Sequence, residues 1–210
     1  MWLAIKTRSD IAAVTSIVAS TQTLNPEEAL KITEGVWRYL AMTWDVVNVI
    51  KPTNGDLELE ITTDASLAPG GDRSRTSVVV SLNGVVLCWQ STRQSIVAIS
   101  SCESEINASV TGLKLGLAIR ELLEEALPGK IPTKLFGDNT AVIKSILTQI
   151  TSWRTRHYAM RASWIRDMLS KENVQPQHRN GTELVSDSLT KILDKQKLQE
   201  ARLRLGLRAY

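Results

Sequence analysis

The chain has 210 residues, of which 43% are hydrophobic, and a formal net charge of +3. A chain of this size can bury one hydrophobic core with a second small unit attached. No apolar run reaches the length of about 18 residues that a membrane span needs, and the N-terminus lacks the layout of a signal peptide. The two cysteines, Cys88 and Cys102, are predicted to be reduced thiols and do not form a zinc-site pattern. These features exclude a membrane-spanning or disulfide-stabilised protein and favour an intracellular one.

Charge is distributed unevenly along the sequence. Residues 151–210 hold 12 Lys and Arg against 6 Asp and Glu, whereas the first 150 residues hold 13 against 16. The basic C-terminal part could bind a polyanion, and a solvated basic face is the alternative explanation.

Residues 1–50 read as entirely helical. One apolar helix is predicted over Asp10–Ala19, and a second begins at Asn25-Pro26-Glu27-Glu28, where Asn caps, Pro suits the first turn and acids favour the helix N-terminus. This second helix carries an apolar stripe that is expected to be core or a docking surface and includes Val36, Trp37 and Leu40.

The segment Lys51–Asp56 is the predicted linker, because Pro, Asn and Gly interrupt the pattern where the helical period gives way to a period of two. After it, Leu57–Asp64 alternates apolar and polar residues, which is typical of a half-buried strand that ends in Asp64. Two further apolar runs, Thr76–Leu82 and Val85–Gln90, are joined by Asn83-Gly84, a strong hairpin signal.

The middle of the chain alternates helices and strands. The longest helical pattern covers Cys102–Leu127 and contains Glu105 in its first turn, after a predicted capping stretch at Ser100–Glu103. A brief strand, Lys134–Gly137, ends at Asp138, and a helix follows over Ala141–Ile150. In α/β proteins, ligands bind at the carboxyl ends of strands, which is where this order places Asp138.

The last third begins with a basic helix, Thr155–Lys171. A predicted edge strand at Val174-Gln175 and a polar loop, Pro176–Thr182, precede a helix that is predicted to start near Glu183 and to carry Asp187. Residues 194–210 read as a basic tail that is expected to be helical.

Four acids fall at the ends of predicted elements: Asp64, Glu105, Asp138 and Asp187. They are separated by 41, 33 and 49 residues. Any one alone would be explained as a helix cap or a solvated acid. Together, at one edge of a sheet, they would form a site for divalent cations.

Several stretches carry a family resemblance: TTDASLAPGGDRSRTS, LCWQSTRQSIVAISSCESEINA, LFGDNTAVI, TRHYAMRASWIRDML and TELVSDSLTKIL. With them, about residues 57–193 resemble the ribonuclease H domain of copia-type retrotransposon reverse transcriptases. The first 50 residues look like the end of that family's polymerase region, through WLAIKTRSDI, the helix at Pro26 and WRYL.

The resemblance implies an α/β, ribonuclease H-like fold: a five-stranded mixed sheet flanked by helices and preceded by a small helical segment. The implied units are residues 1–50 from the end of the polymerase, a nuclease domain over 51–193, and the tail. The implied location is a cytoplasmic retrotransposon particle or the nucleus.

The resemblance also implies an activity, cleavage of the RNA strand of an RNA:DNA hybrid with two Mg²⁺ ions, for which Mn²⁺ would substitute. The implied partners are the hybrid and a polymerase domain in the same polyprotein. The family's metal-binding acids would fall on Asp64, Glu105, Asp138 and Asp187. Glu105 is chosen over Glu103 because ESEINA aligns its E-x-x-A with the family's helix glutamate, and Glu103 then reads as a cap or an exposed acid.

Further site residues are expected around these acids. His178 is a candidate for proton transfer or product release, with an exposed loop histidine as the alternative. Basic residues expected to contact the nucleic acid are Arg154, Arg156, His157 and Arg179. Ser66, Ser101 and Asn139 could contact the hybrid's 2′-hydroxyls and minor groove, although capping would also explain Ser101 and Asn139.

Two other functions fit parts of the pattern. Integrases and transposases use Asp, Asp and Glu on this fold, and Glu172 lies 34 residues after Asp138. That interpretation leaves Glu105 and Asp187 without a role. A catalytically silent domain that only binds nucleic acid or completes a polymerase is the second alternative.

Overall fold

The computed structural model describes residues 1–51, 55–148 and 156–210. Its helices are α1 (Trp2–Lys6), α2 (Ala12–Thr21), α3 (Pro26–Met42), α4 (Ser101–Ala126), α5 (Thr140–Leu147), α6 (Arg156–Lys171) and α7 (Lys195–Arg204). Its strands are β1 (Val46–Asn48), β2 (Leu59–Ser66), β3 (Arg75–Leu82), β4 (Val85–Arg93), β5 (Thr133–Gly137), β6 (Val174–His178) and β7 (Leu207–Ala209). Short 3-10 helices occur at Ser9–Ile11, Pro69–Gly71 and Val185–Leu189.

Some predicted features fall outside the described residues. They are the middle of the linker at residues 52–54, the predicted end of α5 at Ile150, the predicted start of α6 at Thr155, and Arg154.

The main sheet has five strands in the order β4-β3-β2-β5-β6. Strand β2 runs antiparallel to β3 and parallel to β5, and β5 runs parallel to β6. This confirms the predicted five-stranded mixed sheet. Because β2 and β5 are parallel neighbours, Asp64 near the end of β2 and Asp138 just after β5 lie at the same edge of the sheet.

Helix α4 covers one face of the sheet. Its Ile106 and Leu113 pack with Leu59, Ile61 and Val78 in the main core, all fully buried. The helix can approach β2 closely because it has glycines at the contact: a Cβ atom at Gly112 or Gly116 would collide with Thr63 or Ile61. This close contact fixes the start of α4 relative to β2.

The opposite face is covered by the N- and C-terminal segments. Ala12 of α2, Trp89 of β4 and the buried Leu189, Leu205 and Leu207 form a second core cluster. The Trp89 indole N–H also donates to the carbonyl oxygen of Ala4 at 2.7 Å. The N-terminal segment therefore docks through α1 and α2. The predicted stripe on α3 has mixed exposure, because Trp37 is 67% exposed whereas Val36 and Leu40 are half-buried. Val36 also lines a cavity with Ile192 and Leu193. The role of this stripe as a docking surface stays a prediction.

Residues 1–50 are not entirely helical, which corrects the expectation. Strand β1 pairs antiparallel with β7, and Val46 lies opposite Ala209. The C-terminal tail is likewise helical only over α7, because residues 207–209 form the partner strand. Three-residue strands give too short a pattern to predict, and their pairing joins distant parts of the chain.

Strand β6 extends to His178, beyond the predicted Val174-Gln175. The sequence suggested a loop because Pro176 cannot donate a ladder hydrogen bond. Strand β6 is the edge of the sheet, so that missing N–H does not interrupt any pairing. The extension delivers His178 to the edge that carries Asp138.

Cys88 and Cys102 are both free thiols, as predicted. Among the described residues, no helix combines the length and apolar character that crossing a membrane requires.

Candidate active site

Three of the four predicted acids come together. Asp64, Glu105 and Asp138 each offer a carboxylate oxygen, and these oxygens lie within 4.8 Å of one another. Asp64 and Glu105 are buried and Asp138 is half-buried. Clustered carboxylate oxygens are the ligands that hard divalent cations prefer, so this group could hold a metal ion.

The pKa values of two of these acids are raised, because the acids are buried and lie close together. Burial, followed by the charge of Asp187, raises the pKa of Asp64 to about 6, against the opposing hydrogen bond from Thr190. Burial, followed by the charges of Asp64 and Asp138, raises the pKa of Glu105 to about 9. A bound cation would favour the ionised forms and relieve this repulsion.

The start of α4 positions Glu105. The Ser100 hydroxyl oxygen accepts from the Glu103 N–H at 3.1 Å, and the Glu103 carboxylate accepts from the Ile99 N–H at 2.9 Å, an arrangement similar to a capping box. The cap is therefore Ser100, and Ser101 is an exposed residue of the first turn. Glu105 also accepts a hydrogen bond from the Ala65 N–H at 3.3 Å.

Glu103 has a structural role, and it is not exposed. Its side chain is only 5% exposed, and the carboxylate lies 3.5 Å from His157 and 3.4 Å from Arg161 on α6. It thus ties α4 to α6, while Glu105 lies beside Asp64. The choice of Glu105 as the metal ligand stays a prediction.

Asp138 is held from both sides. Asn139 caps α5 by accepting from the N–H groups of Ala141 and Val142 at 3.0 and 3.3 Å. The loop after β6 packs against the acid, since a Cβ atom at Gly181 would lie 3.2 Å from Asp138 Oδ2. His178, which is exposed, places Nε2 2.9 Å from the Asp138 carbonyl oxygen.

Asp187 lies to the side of the group of three. It sits on the 3-10 helix Val185–Leu189, where the sequence predicted an α-helix. Its Oδ1 accepts from Lys191 Nζ at 2.7 Å, an ion pair exposed to solvent. Its charge still reaches the group, because it contributes to the raised pKa of Asp64.

Hydroxyl groups on the sheet hold this 3-10 helix. Ser77 on β3 donates to the Ser186 carbonyl at 2.7 Å, and Ser91 on β4 donates to the Leu189 carbonyl at 2.7 Å. Asp64, Ser77 and Ser91 are cross-strand neighbours in one row. From the other side, Thr190 Oγ1 donates to Asp64 Oδ2 at 3.0 Å. Sequence reasoning missed these residues, and the one signal was the position of Ser77 beside the three valines of β3.

The predicted nucleic-acid contacts have mixed surroundings. Ser66 donates to the Thr190 carbonyl at 3.5 Å, Arg156 is exposed, and His157 faces Glu103. Arg179 donates to both carboxylate oxygens of Glu60 at 3.0 and 3.2 Å and stacks 3.6 Å above the Phe136 ring. The guanidinium of Arg179 therefore already has partners within the protein, the Glu60 carboxylate and the Phe136 ring. Contacts of these residues with nucleic acid stay predictions.

The integrase arrangement is not supported. Glu172 follows α6 near the beginning of β6, at the end of the sheet opposite to the three acids. Its carboxylate accepts from Arg120, whose guanidinium also donates to the Glu172 carbonyl at 2.8 Å. Glu172 therefore acts as a partner of α4 and is not a third ligand beside Asp64 and Asp138.

Comparison with solved structures gives distant likenesses. The ribonuclease H1 called LC11, solved in complex with an RNA/DNA hybrid, is 12% identical, with a TM-score of 0.49 over 63% of this chain and 93% of that chain. The N-terminal ribonuclease H domain of Rv2228c from Mycobacterium tuberculosis is 11% identical, with a TM-score of 0.48 over 70% of this chain and 98% of that chain. These scores are modest, so the fold assignment depends on the strand order described above.

Sequence comparison identifies relatives, although no protein-family model matches the chain. The chain is 26% identical over 210 residues to the retrovirus-related Pol polyprotein from transposon TNT 1-94 of Nicotiana tabacum, covering 99% of this chain and 16% of that polyprotein. It is 28% identical over 145 residues to the transposon Ty1-NL2 Gag-Pol polyprotein of Saccharomyces cerevisiae, covering 68% of this chain and 8% of that polyprotein. The chain thus spans a small part of the length of these relatives. The predicted similarity to copia-type Pol polyproteins is confirmed.

Proposed function

We propose that this chain is a metal-dependent endonuclease that hydrolyses the RNA strand of RNA:DNA hybrids during retrotransposon reverse transcription. The observation that carries the proposal is the group of three carboxylates on β2, α4 and the end of β5, with oxygens within 4.8 Å of one another. Three acids on three separate elements of one sheet edge match the order that the copia-type resemblance implied.

The donor set fits Mg²⁺. Asp64, Glu105 and Asp138 would hold one ion, and Asp187 with Asp64 would complete the site for a second, with Mn²⁺ as a substitute. The raised pKa of Glu105 supports a cation requirement, because burial and the neighbouring acids disfavour its ionised form until positive charge arrives. When bound, the two ions would supply activation of a water molecule and stabilisation of the leaving oxygen.

The chain's own residues orient this site. Thr190 fixes Asp64 by donating to Oδ2, and the Ala65 N–H holds Glu105. The buried serine contacts of the 3-10 helix keep Asp187 on the same side of the sheet as Asp64. A preorganised set of ligands of this kind is what two-metal hydrolysis requires of a protein.

His178 would move a proton. The Asp138 carbonyl can only accept, so the contact at 2.9 Å requires the proton on Nε2. Nδ1 is then the ring nitrogen that, in the imidazolium form, would donate its proton to the departing 3′ oxygen. The position of His178 beside Asp138 supports this role.

The polyprotein relatives support the proposed substrate and partners. A polyprotein that carries out reverse transcription produces RNA:DNA hybrids, and we infer that a polymerase domain of the same polyprotein acts beside this chain. The site of action would be a retrotransposon particle in the cytoplasm or the nucleus.

The direct test is cleavage of an end-labelled RNA:DNA hybrid in magnesium, beside single-stranded RNA and duplex DNA of the same sequence. We expect cleavage of the RNA strand of the hybrid alone, lost on addition of a chelator. Binding of the hybrid without any cleavage would leave the silent nucleic-acid-binding domain as the function. Cleavage of duplex DNA instead would overturn the substrate assignment.

A further inference from the structure

Two neighbouring cavities run along the C-terminal segment, starting at Asp187. The first, of about 400 Å³, is lined by Lys191, Lys197 and Arg204 together with the acids Asp187 and Glu200. The second, of about 340 Å³, shares Arg204 and is also lined by Arg208 and Lys51, with no acid from the described residues. We call the five cations the basic track: Lys191, Lys197, Arg204, Arg208 and Lys51.

Lys191 pairs with Asp187 at 2.7 Å. Among the described residues, Lys51, Arg204 and Arg208 form no ion pair with an acid. Arg208 donates to the carbonyl oxygens of Leu203 and Leu207 at 2.7 and 2.9 Å, and Arg204 donates to the Thr182 carbonyl. These contacts orient the guanidinium groups without cancelling their charge. Lys197 lies 3.6 Å from Asp194 with both side chains exposed, and exposed pairs of this kind contribute little.

The basic track has the length of several nucleotides. Helix α7 has 10 residues, which corresponds to roughly 15 Å. One strand of a duplex carries a phosphate about every 3.4 Å along its axis, so the track would face about four phosphates. One end lies at the candidate catalytic acids, and the other reaches the β3–β4 turn at the opposite end of the sheet.

We propose that the basic track binds the sugar–phosphate backbone of the nucleic acid and guides it to the acids. The inference rests on the proposed function, because it assigns the ligand from the continuity between the track and Asp187. It concerns a surface formed by the C-terminal segment and Lys51, outside the main sheet. Positive side chains on a surface that begins at a phosphate-cleaving site complement a polyanion and give a salt-dependent affinity.

The chain offers a matched control for the test. Lys197 and Lys195 lie two residues apart on α7 and are both exposed, but only Lys197 lines the first cavity. In a background blocked by Asp64→Asn, binding of a fluorescent RNA:DNA hybrid is measured over a range of potassium chloride concentrations for Lys197→Gln, Arg204→Gln and Lys195→Gln. Each track variant should reduce the slope of log K against log salt by about 0.9, and Lys195→Gln should leave it unchanged.

The outcomes separate this proposal from the proposed function. Equal slopes for Lys197→Gln and Lys195→Gln, or no change for Arg204→Gln, would overturn the track, even if the unblocked chain cleaves the hybrid. If the salt dependence falls in the Lys197 and Arg204 variants but the unblocked chain cleaves no hybrid, the basic track is supported and the proposed nuclease function is contradicted. Tighter binding of polyglutamate than of the hybrid would assign the track to an acidic protein and overturn the proposal.

Discussion

The two sides of the candidate site are built differently. Asp64, Glu105 and Asp138 sit on a central strand, on a 26-residue helix that packs closely on that strand, and at the end of the neighbouring strand. Asp187 lies on a five-residue 3-10 helix that serine hydroxyls hold to the sheet, and its carboxylate pairs with Lys191.

The difference shows how each side keeps its geometry. On the strand side, hydrophobic packing of α4 on β2 fixes the acids, and their burial raises the pKa of two of them. On the Asp187 side, a few hydrogen bonds do the same work. We therefore expect substitutions on the strand side to remove the chemistry, and substitutions on the Asp187 side to weaken cation binding.

The largest effect is expected from Asp64→Asn and Asp138→Asn. Each removes a negative ligand of the group of three while keeping nearly the same shape, and the loss of cation chemistry should slow cleavage by more than about 1,000-fold. Single-turnover cleavage of the labelled hybrid measures it, and Asp167→Asn on the exposed face of α6 is the control. Activity retained within a factor of about ten would contradict the assignment of the site.

The next prediction compares Glu103 and Glu105, two acids on one turn of α4 that should respond differently to substitution. Glu105→Gln should slow cleavage by about 100-fold or more, because Glu105 belongs to the group of three. Glu103→Gln should leave cleavage nearly unchanged but lower the free energy of unfolding by about 1 kcal/mol, because it weakens the cap and the contacts to α6. Cleavage rates and melting temperatures of both variants check this, and the reverse pattern would show that Glu103 is the ligand.

His178→Ala should have an intermediate effect. Loss of general acid–base assistance is expected to slow cleavage by about 100-fold without weakening hybrid binding. Single-turnover and steady-state rates at saturating magnesium distinguish the steps, since a loss confined to steady state indicates product release. A change of less than about twofold in both rates would show that His178 is an exposed loop residue.

The smallest effect is expected from Ser77→Ala, which loosens the 3-10 helix that carries Asp187. Ser77→Ala leaves the Ser186 carbonyl without its buried donor, which costs about 1 kcal/mol and loosens the 3-10 helix. We expect the magnesium concentration for half-maximal cleavage to rise several-fold, with a smaller change at saturation. Ser81→Ala, on the same face of β3, is the control, because the Ser81 side chain makes no hydrogen bond to another described residue. Equal magnesium curves for the two variants would show that the serine does not position Asp187.

The strand side could be predicted from sequence, and the Asp187 side only in part. The period-two pattern of β2 and the strand before Asp138 are local signals, and parallel pairing then brings both acids to one edge. Ser77, Ser91 and Thr190 act only through contacts between distant parts of the chain, so no local pattern marks them. The same reason explains why β1 and β7 were missed.

Glu103 shows a second limit of the sequence. Its spacing from Ser100 identified the cap region, but burial against His157 and Arg161 depends on how α6 packs on α4. The prediction of a polar loop after Gln175 was partly wrong, because β6 continues to His178. Edge strands tolerate proline, and edge position is a property of the whole sheet that a local pattern does not reveal.

The three acids of the candidate site repel one another until a cation binds. Both raised pKa values mean that the folded state holds protons that the unfolded chain releases above about pH 4. The metal-free protein should therefore lose stability as the pH rises from about 4 through about 6 and towards 9. Asp64→Asn should reduce this loss.

The most direct test is the melting temperature of the wild-type chain and of Asp64→Asn at neutral pH, with chelator and with increasing magnesium. Magnesium at ten times its dissociation constant should stabilise the wild type by about 1.4 kcal/mol, or roughly 3–6 °C. Asp64→Asn should melt higher than the wild type in chelator and respond less to magnesium. A wild type that does not respond, or a variant that melts no higher without metal, would show that the acids do not form a cation site.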